Sequence, residues 1–230
     1  MTSMKTKSDF CIPNREQCSL LEKCLYIPPS DFASASLDMP LNWNETSIFT
    51  KTQPLFVEYC SGNGQWISEM ARQLPHLNWI AVERDFDRAR KIWLKIFRLQ
   101  LENLFVVYGE GLSFSKNFLP NASVSGAYVN FPDPWPKRRH AKHRIVKRDF
   151  VDEMARILDE EAFITLVTDD APYSEQILSL FDDWESAFDN ERYVTQWPEF
   201  GNSFFQSLWM KQQRTIRYHR FRKTNRGRGI

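Results

Sequence analysis

The sequence predicts an α/β fold with a mostly parallel central sheet and helices on both faces. Three observations support this. Short apolar runs recur at 55–60, 78–83, 104–109, 126–131 and 162–168, and stretches of helical pattern lie between or after them. Parallel strands need crossovers of this kind, and the crossing helices then cover the sheet. With 230 residues, 42% of them hydrophobic and only eight glycines, the chain can bury a sizeable core as one domain with an N-terminal extension.

Residues 1 to about 50 are mixed in character, and "IPPSDF" and "LDMPLN" interrupt any helix. They are expected to form an irregular or partly disordered extension over 1–50, ahead of a main domain at 51–222 and a basic tail at 223–230. "LFVEYC" (55–60) reads as the first strand of the regular pattern, and "GNGQWISEMARQL" as a turn leading into a helix. "NWIAVE" (78–83) is the next strand. In "DFDRARKIWLKIFRLQ" the residues Phe86, Ala89, Trp93, Ile96, Phe97 and Gln100 fall on one stripe near helical spacing, leaving Arg88, Lys91, Lys95 and Arg98 on a solvated face. "LFVVYG" (104–109), "GAYVNF" (126–131) and "AFITLVT" (162–168) complete the strands, with helices predicted over 145–158 and 172–188.

The charges nearly cancel, 30 basic against 29 acidic, so a uniform field cannot attract a polyanion. Their distribution can. Lys137, Arg138, Arg139, Lys142, Arg144, Lys147 and Arg148 fall together, and Arg214, Arg217, Arg220, Arg222, Lys223, Arg226 and Arg228 crowd the C-terminus, which points to a localised anion-binding face. Cys11, Cys18 and Cys24 lack the two-residue spacing of zinc sites, and Cys60 ends an apolar strand, so reduced thiols and no metal are expected. No apolar segment approaches the length of a membrane span, and a cytoplasmic protein is expected.

In such folds ligands bind beyond the carboxyl ends of the strands. Those ends are acidic here: Glu58 lies in the first strand, Glu83 ends the second, Glu110 follows the third, Asp133 follows the fourth, and Asp169 and Asp170 close the fifth. Polar residues begin wherever strands stop, yet five strand ends in succession that each carry a carboxylate favour a shared cleft. A dinucleotide would want G-x-G-x-x-G to approach its pyrophosphate, but from Gly62 the third glycine falls on Ile67. S-adenosylmethionine fits better, because it has no phosphates, carries a cationic amino group and sulfonium, and offers hydroxyl and amine donors to carboxylates. Glu83 is placed to accept from the ribose hydroxyls, and Glu58 to hold the loop or the amino group.

The segments "VEYCSGNGQW", "AVERD", "VNFPDPWPKRRHAKHR" and "LVTDDAPY" occur in the order seen in bacterial tRNA (guanine-N7-)-methyltransferases, which the chain resembles over about 55–221. The proline-rich loop is the specific part; the glycine loop is shared by many methyltransferases. The resemblance implies a Rossmann-like S-adenosylmethionine-dependent methyltransferase fold, with a guanosine in the variable loop of tRNA as substrate. It implies that Glu58, Gly62, Gly64, Glu83, Glu110 and Asp133 meet the cofactor, with Asp133 also catalytic. Lys137, Asp169 and the stretch from Ser203 to Gln206 would meet the substrate. The chain departs from the family pattern at Cys60, where glycine is usual, at Glu110, where aspartate is usual, and at Ser203-Phe204-Phe205-Gln206, where Thr-x-x-Glu is usual. Ser-x-x-Gln remains a capping box, so this stretch is equally consistent with a structural role and with substrate contact.

Guanine N7 carries a lone pair and no proton, so its methylation needs no general base. A fixed carboxylate beside the guanine stabilises the positive charge that develops on it. Pro132, Pro134 and Pro136 restrict the backbone that presents Asp133. Trp135 is equally suited to stacking on a base and to packing within its own loop. Arg138, Arg139, Lys142 and Arg144 then grip phosphates, which positions RNA without reading its sequence. His140 and His143 read as solvated members of that run. A tRNA-binding protein without catalysis, or a methyltransferase for another RNA, is the alternative, and nothing in the sequence implies an obligate protein partner.

Overall fold

A computed structural model describes residues 5–29, 41–43, 48–189, 191–201 and 204–223. The chain divides into two units, Met1–Pro120 and Asn121–Ile230. The predicted tail from 224 onward lies outside the described residues.

The first unit contains β1 (Ser19–Leu21), β2 (Cys24–Tyr26), β3 (Leu55–Tyr59), α1 (Gln65–Gln73), β4 (Asn78–Glu83), α2 (Phe86–Arg98), β5 (Leu104–Tyr108) and α3 (Gly111–Phe118). Its strands lie in the order β1-β2-β5-β4-β3. All the pairings are parallel except the short β1–β2 hairpin. Strands covered on both faces lose the in–out alternation of exposed sheets, which is why β4 is buried at all six positions. Helix α1 packs on β4, and α2 packs on β4 and β5. Helix α2 starts where the Asp85 carboxylate accepts from Arg88 N at 2.9 Å, and it buries Ala89, Ile92, Trp93 and Ile96. An isoleucine side chain taken fully out of water contributes about 1.5–3 kcal/mol. Gln100, assigned by periodicity to that stripe, instead lies beyond the helix, exposed and left-handed at φ 53°.

Two strands thus fall in the segment expected to be irregular. At three residues each they are too short to show a period. They are held by tertiary contacts: Lys23 turns between them at φ 61°, β2 pairs with β5, and the Trp93 indole donates to Glu22 O at 2.7 Å.

The second unit contains β6 (Val124–Asn130), α4 (Arg148–Ile157), β7 (Leu158–Thr168), α5 (Ala171–Leu180), β8 (Glu185–Ser186), α6 (Phe204–Lys211) and β9 (Arg217–Arg222), with strands in the order β6-β7-β9-β8. β6 and β7 are parallel, and β9 runs antiparallel to β7 and β8. Helices α4 and α5 pack on β7. The helix expected to reach 188 stops at Leu180. Phe181 and Trp184 turn inward there, and Arg192 donates to both of their carbonyls, at 2.6 and 2.8 Å.

β9 is the larger revision. Its sequence, RYHRFR, reads as part of a basic cluster but forms a strand with Tyr218, His219 and Phe221 buried. Two of its three cations, and the lysine that follows the strand, are engaged within the unit. Arg222 pairs with Glu161 and Glu185, Arg220 stacks on Phe163, and Lys223 donates to Leu158 O. Burial pushes His219 down to about 4, so it is a neutral core residue hydrogen-bonded to Ser174.

Candidate active site

The turn between β3 and α1 is built from left-handed residues: Cys60 at φ 59°, Gly62 at φ 56° and Gly64 at φ 68°. Glycine takes this conformation without the steric penalty that a Cβ brings, so Gly62 and Gly64 suit it and Cys60 is strained. Gly64 is doubly constrained, because a Cβ there would lie 2.6 Å from Ile92 Cγ1. Glu83, at the end of β4, ties this turn to the next one. One carboxylate oxygen accepts from Gly62 N at 2.8 Å and the other from Asp85 N at 2.9 Å. Burial raises its pKa, and these same N–H groups restrain the rise. Glu58 is also buried.

Lys95 was expected on a solvated face. It is half-buried, and its ammonium donates to Asn63 O at 2.7 Å, closing the glycine turn from the side of α2. Loss of water lowers its pKa, with Glu58 pulling in the opposite direction. No local sequence signal marks it, since 32 residues separate the partners.

Several strand-end acids have a structural job as well. Glu110 is exposed, and its carboxylate accepts from Ser113 N at 2.6 Å as the N-cap of α3. Asp170 caps α5 by accepting from Tyr173 N at 2.8 Å. A carboxylate at a helix start satisfies an orphan donor and opposes the helix dipole. Asp169 is paired with Arg214, whose guanidinium lies 4.5 Å from the Trp209 ring.

The loop after β6 carries Asp133 exposed, between two left-handed residues, Phe131 at φ 49° and Trp135 at φ 43°. Trp135 packs beside His143 and His140, with ring centroids 5.2 and 5.9 Å away, so those histidines line the loop. Lys137, Arg139 and Lys142 are exposed. Arg144 differs from them: it is half-buried, donating through Nε to Pro134 O at 2.7 Å and through Nη1 to Gln176. Gln206 is buried, and its amide donates to the Tyr218 hydroxyl at 3.0 Å. Ser203 and the Arg138 side chain lie outside the described residues.

A carboxylate has about four acceptor sites, more than the backbone donors around Glu83 occupy, so it can still accept from a ligand. Buried acceptors around a left-handed glycine turn suit a ligand rich in hydroxyl and amine donors. With the α/β fold, they define a methyltransferase that uses S-adenosylmethionine. Comparison with known proteins agrees. The family model described as "Putative methyltransferase" matches residues 52–216. A tRNA (guanine-N(7)-)-methyltransferase of Chlamydia felis is 39% identical over 202 residues, 88% of this chain and 89% of that protein. One from Chlamydia abortus is 40% identical over 200 residues, 86% of this chain and 88% of that protein. Among solved structures, the 16S rRNA methyltransferase KamB superposes with a TM-score of 0.55 at 14% identity, covering 75% of this chain and 88% of that one, a likeness of fold. The chain belongs to the tRNA (guanine-N7-)-methyltransferase family.

Proposed function

We propose that this protein transfers a methyl group from S-adenosylmethionine to N7 of a guanosine in the variable loop of tRNA, in the cytoplasm. The observation that carries the reading is the loop after β6, where an exposed carboxylate, Asp133, is followed directly by the exposed cations Lys137, Arg139 and Lys142. No helix among the described residues is long and apolar enough to cross a membrane.

In this reading Glu58 and Glu83 accept from the cofactor, Gly62 and Gly64 let the backbone approach it, and Glu110 reaches it from the α3 cap. The bound cofactor supplies an electrophilic methyl group on a sulfonium. With the cofactor so held, the guanine N7 lone pair would accept the methyl group, the electron pair of the broken C–S bond would stay on sulfur, and no proton would move. Positive charge passes to the purine, where Asp133 stabilises it. Lys137 and Gln206, with Ser203, meet the nucleotide. Asp169 joins them by exchanging Arg214 for a guanine donor. Arg139 and Lys142, with Arg138, hold phosphates.

The test is incubation with unmodified tRNA and labelled cofactor, followed by nucleoside mass spectrometry. N7-methylguanosine is expected, and label only in another nucleoside or in protein would overturn the reading. Asp133→Asn keeps the side-chain shape and removes the charge. At saturating cofactor it should lower turnover about 10²–10³-fold, the usual cost of losing one preorganised stabilising group. Turnover close to that of the parent enzyme would reduce Asp133 to a loop-shaping residue.

A further inference from the structure

We infer that Arg144 is a positioning residue for the catalytic carboxylate: it clamps the Phe131–Trp135 segment onto α5 and so fixes where Asp133 is presented. The inference rests on the role proposed above for Asp133. Phe131 and Trp135 flank that residue in left-handed conformations, at φ 49° and 43°. Such strain persists only where the surroundings over-determine the backbone. Pro132, Pro134 and Pro136 have no N–H, so the segment has few donors with which to pin itself. The β6–β7 ladder ends with Phe131 N donating to Val167 O at 2.9 Å. Beyond that point Arg144 takes over, its Nε donating to Pro134 O at 2.7 Å.

The other side of the guanidinium is anchored in α5. Nη1 donates to Gln176 Oε1, and the guanidinium carbon lies 4.8 Å from the Tyr173 ring centroid. Gln176 Nε2 donates to Val146 O at 2.8 Å, and Val146 N donates to the Tyr173 hydroxyl at 3.2 Å, which holds the chain just after Arg144 to the same helix. Two divergent donors in one rigid plane reach the loop and the helix together. A lysine ammonium offers the charge without the fork. The exposed Lys137, Arg139 and Lys142 have the opposite character, so among the described residues the basic run divides into an outward part, which the proposed function assigns to phosphates, and an inward clamp.

Arg144→Lys tests this, because it keeps the charge and removes the fork. Single-turnover methyl transfer at saturating tRNA and cofactor should fall about 10–100-fold, as expected when a reacting group is displaced by a fraction of an ångström to an ångström. The tRNA dissociation constant and its salt slope should not change, and hydrogen exchange at Asp133 and Trp135 should quicken. In the Asp133→Asn background the same substitution should cost little more, because the group it aims is gone. Gln176→Leu leaves the arginine but removes its anchor, and should slow transfer in the same way if Arg144→Lys folds poorly. An equal loss in the Asp133→Asn background would overturn the inference. So would unchanged loop exchange, or a salt slope lower by about one, the mark of a lost phosphate contact. A parent enzyme that makes no N7-methylguanosine would instead count against the function itself, since the exchange measurement needs no activity.

Discussion

Gly64→Ala puts one methyl group where the structure has no room for it. The residue sits at φ 68°, a conformation that costs an L-residue about 1–2 kcal/mol. The new Cβ would also lie 2.6 Å from Ile92 Cγ1, and Ile92 is fully buried on α2 between the helix and the sheet. Overpacking of that kind adds about 1–3 kcal/mol. Alanine recovers about 0.4–1 kcal/mol by restricting the unfolded chain, which leaves a net loss of about 1–4.5 kcal/mol. The assay is urea denaturation of four proteins: parent, Gly64→Ala, Ile92→Ala and the double variant. Ile92→Ala removes the obstructing atom at its own cavity cost, so in that background Gly64→Ala should retain only the backbone penalty. The coupling should be about 1–3 kcal/mol, within the range seen for residues in contact. Strict additivity would show that the packing explanation is wrong. A loss under about 1 kcal/mol in the parent background would refute both contributions.

Glu110→Ala removes the α3 cap and should cost about 1 kcal/mol, lowering Tm by about 2–4 °C, while the rise in Tm on adding S-adenosylmethionine also shrinks. An unchanged Tm would show the cap to be idle, and an unchanged cofactor shift would separate Glu110 from the cofactor. For Glu83 the sign follows from its raised pKa: the contribution to stability is present below the ordinary value of 4.5 and is lost as pH rises through the higher folded value. Parent minus Glu83→Gln stability, read by urea denaturation, should therefore shift in the parent's favour as pH falls from neutrality towards 4.5. His219 works in the opposite direction but is common to both proteins and cancels. A gap independent of pH would show that burial does not perturb Glu83.

The glycine turn, Glu83 at the end of β4 and the proline loop were legible because each is local. Gly62 and Gly64 announce a turn by residue type, and Asp133 lies among prolines that no strand or helix interior accommodates. The partners of these residues were not legible. Asp169 and Arg214 stand 45 residues apart, and Arg144 and Gln176 stand 32 apart. Nothing in either local pattern distinguishes a paired arginine from a solvated one. For that reason RYHRFR did not read as a strand, with Tyr218 and Phe221 as the only apolar signal inside it.

The sequence by itself determined the α/β class, the order of the main strands, the family and the candidate carboxylates. These follow from hydrophobic period, turn chemistry and motif, which act over a few residues. The tertiary structure alone decided which charges are available to a ligand and which serve the fold. Glu110 and Asp170 cap helices, Lys95 closes the glycine turn, Arg144 holds the loop, and in β9 Arg222 is paired and Arg220 stacked. Whether a charge is spent on a neighbour depends on distance through space and on lost solvation, and chain separation carries neither.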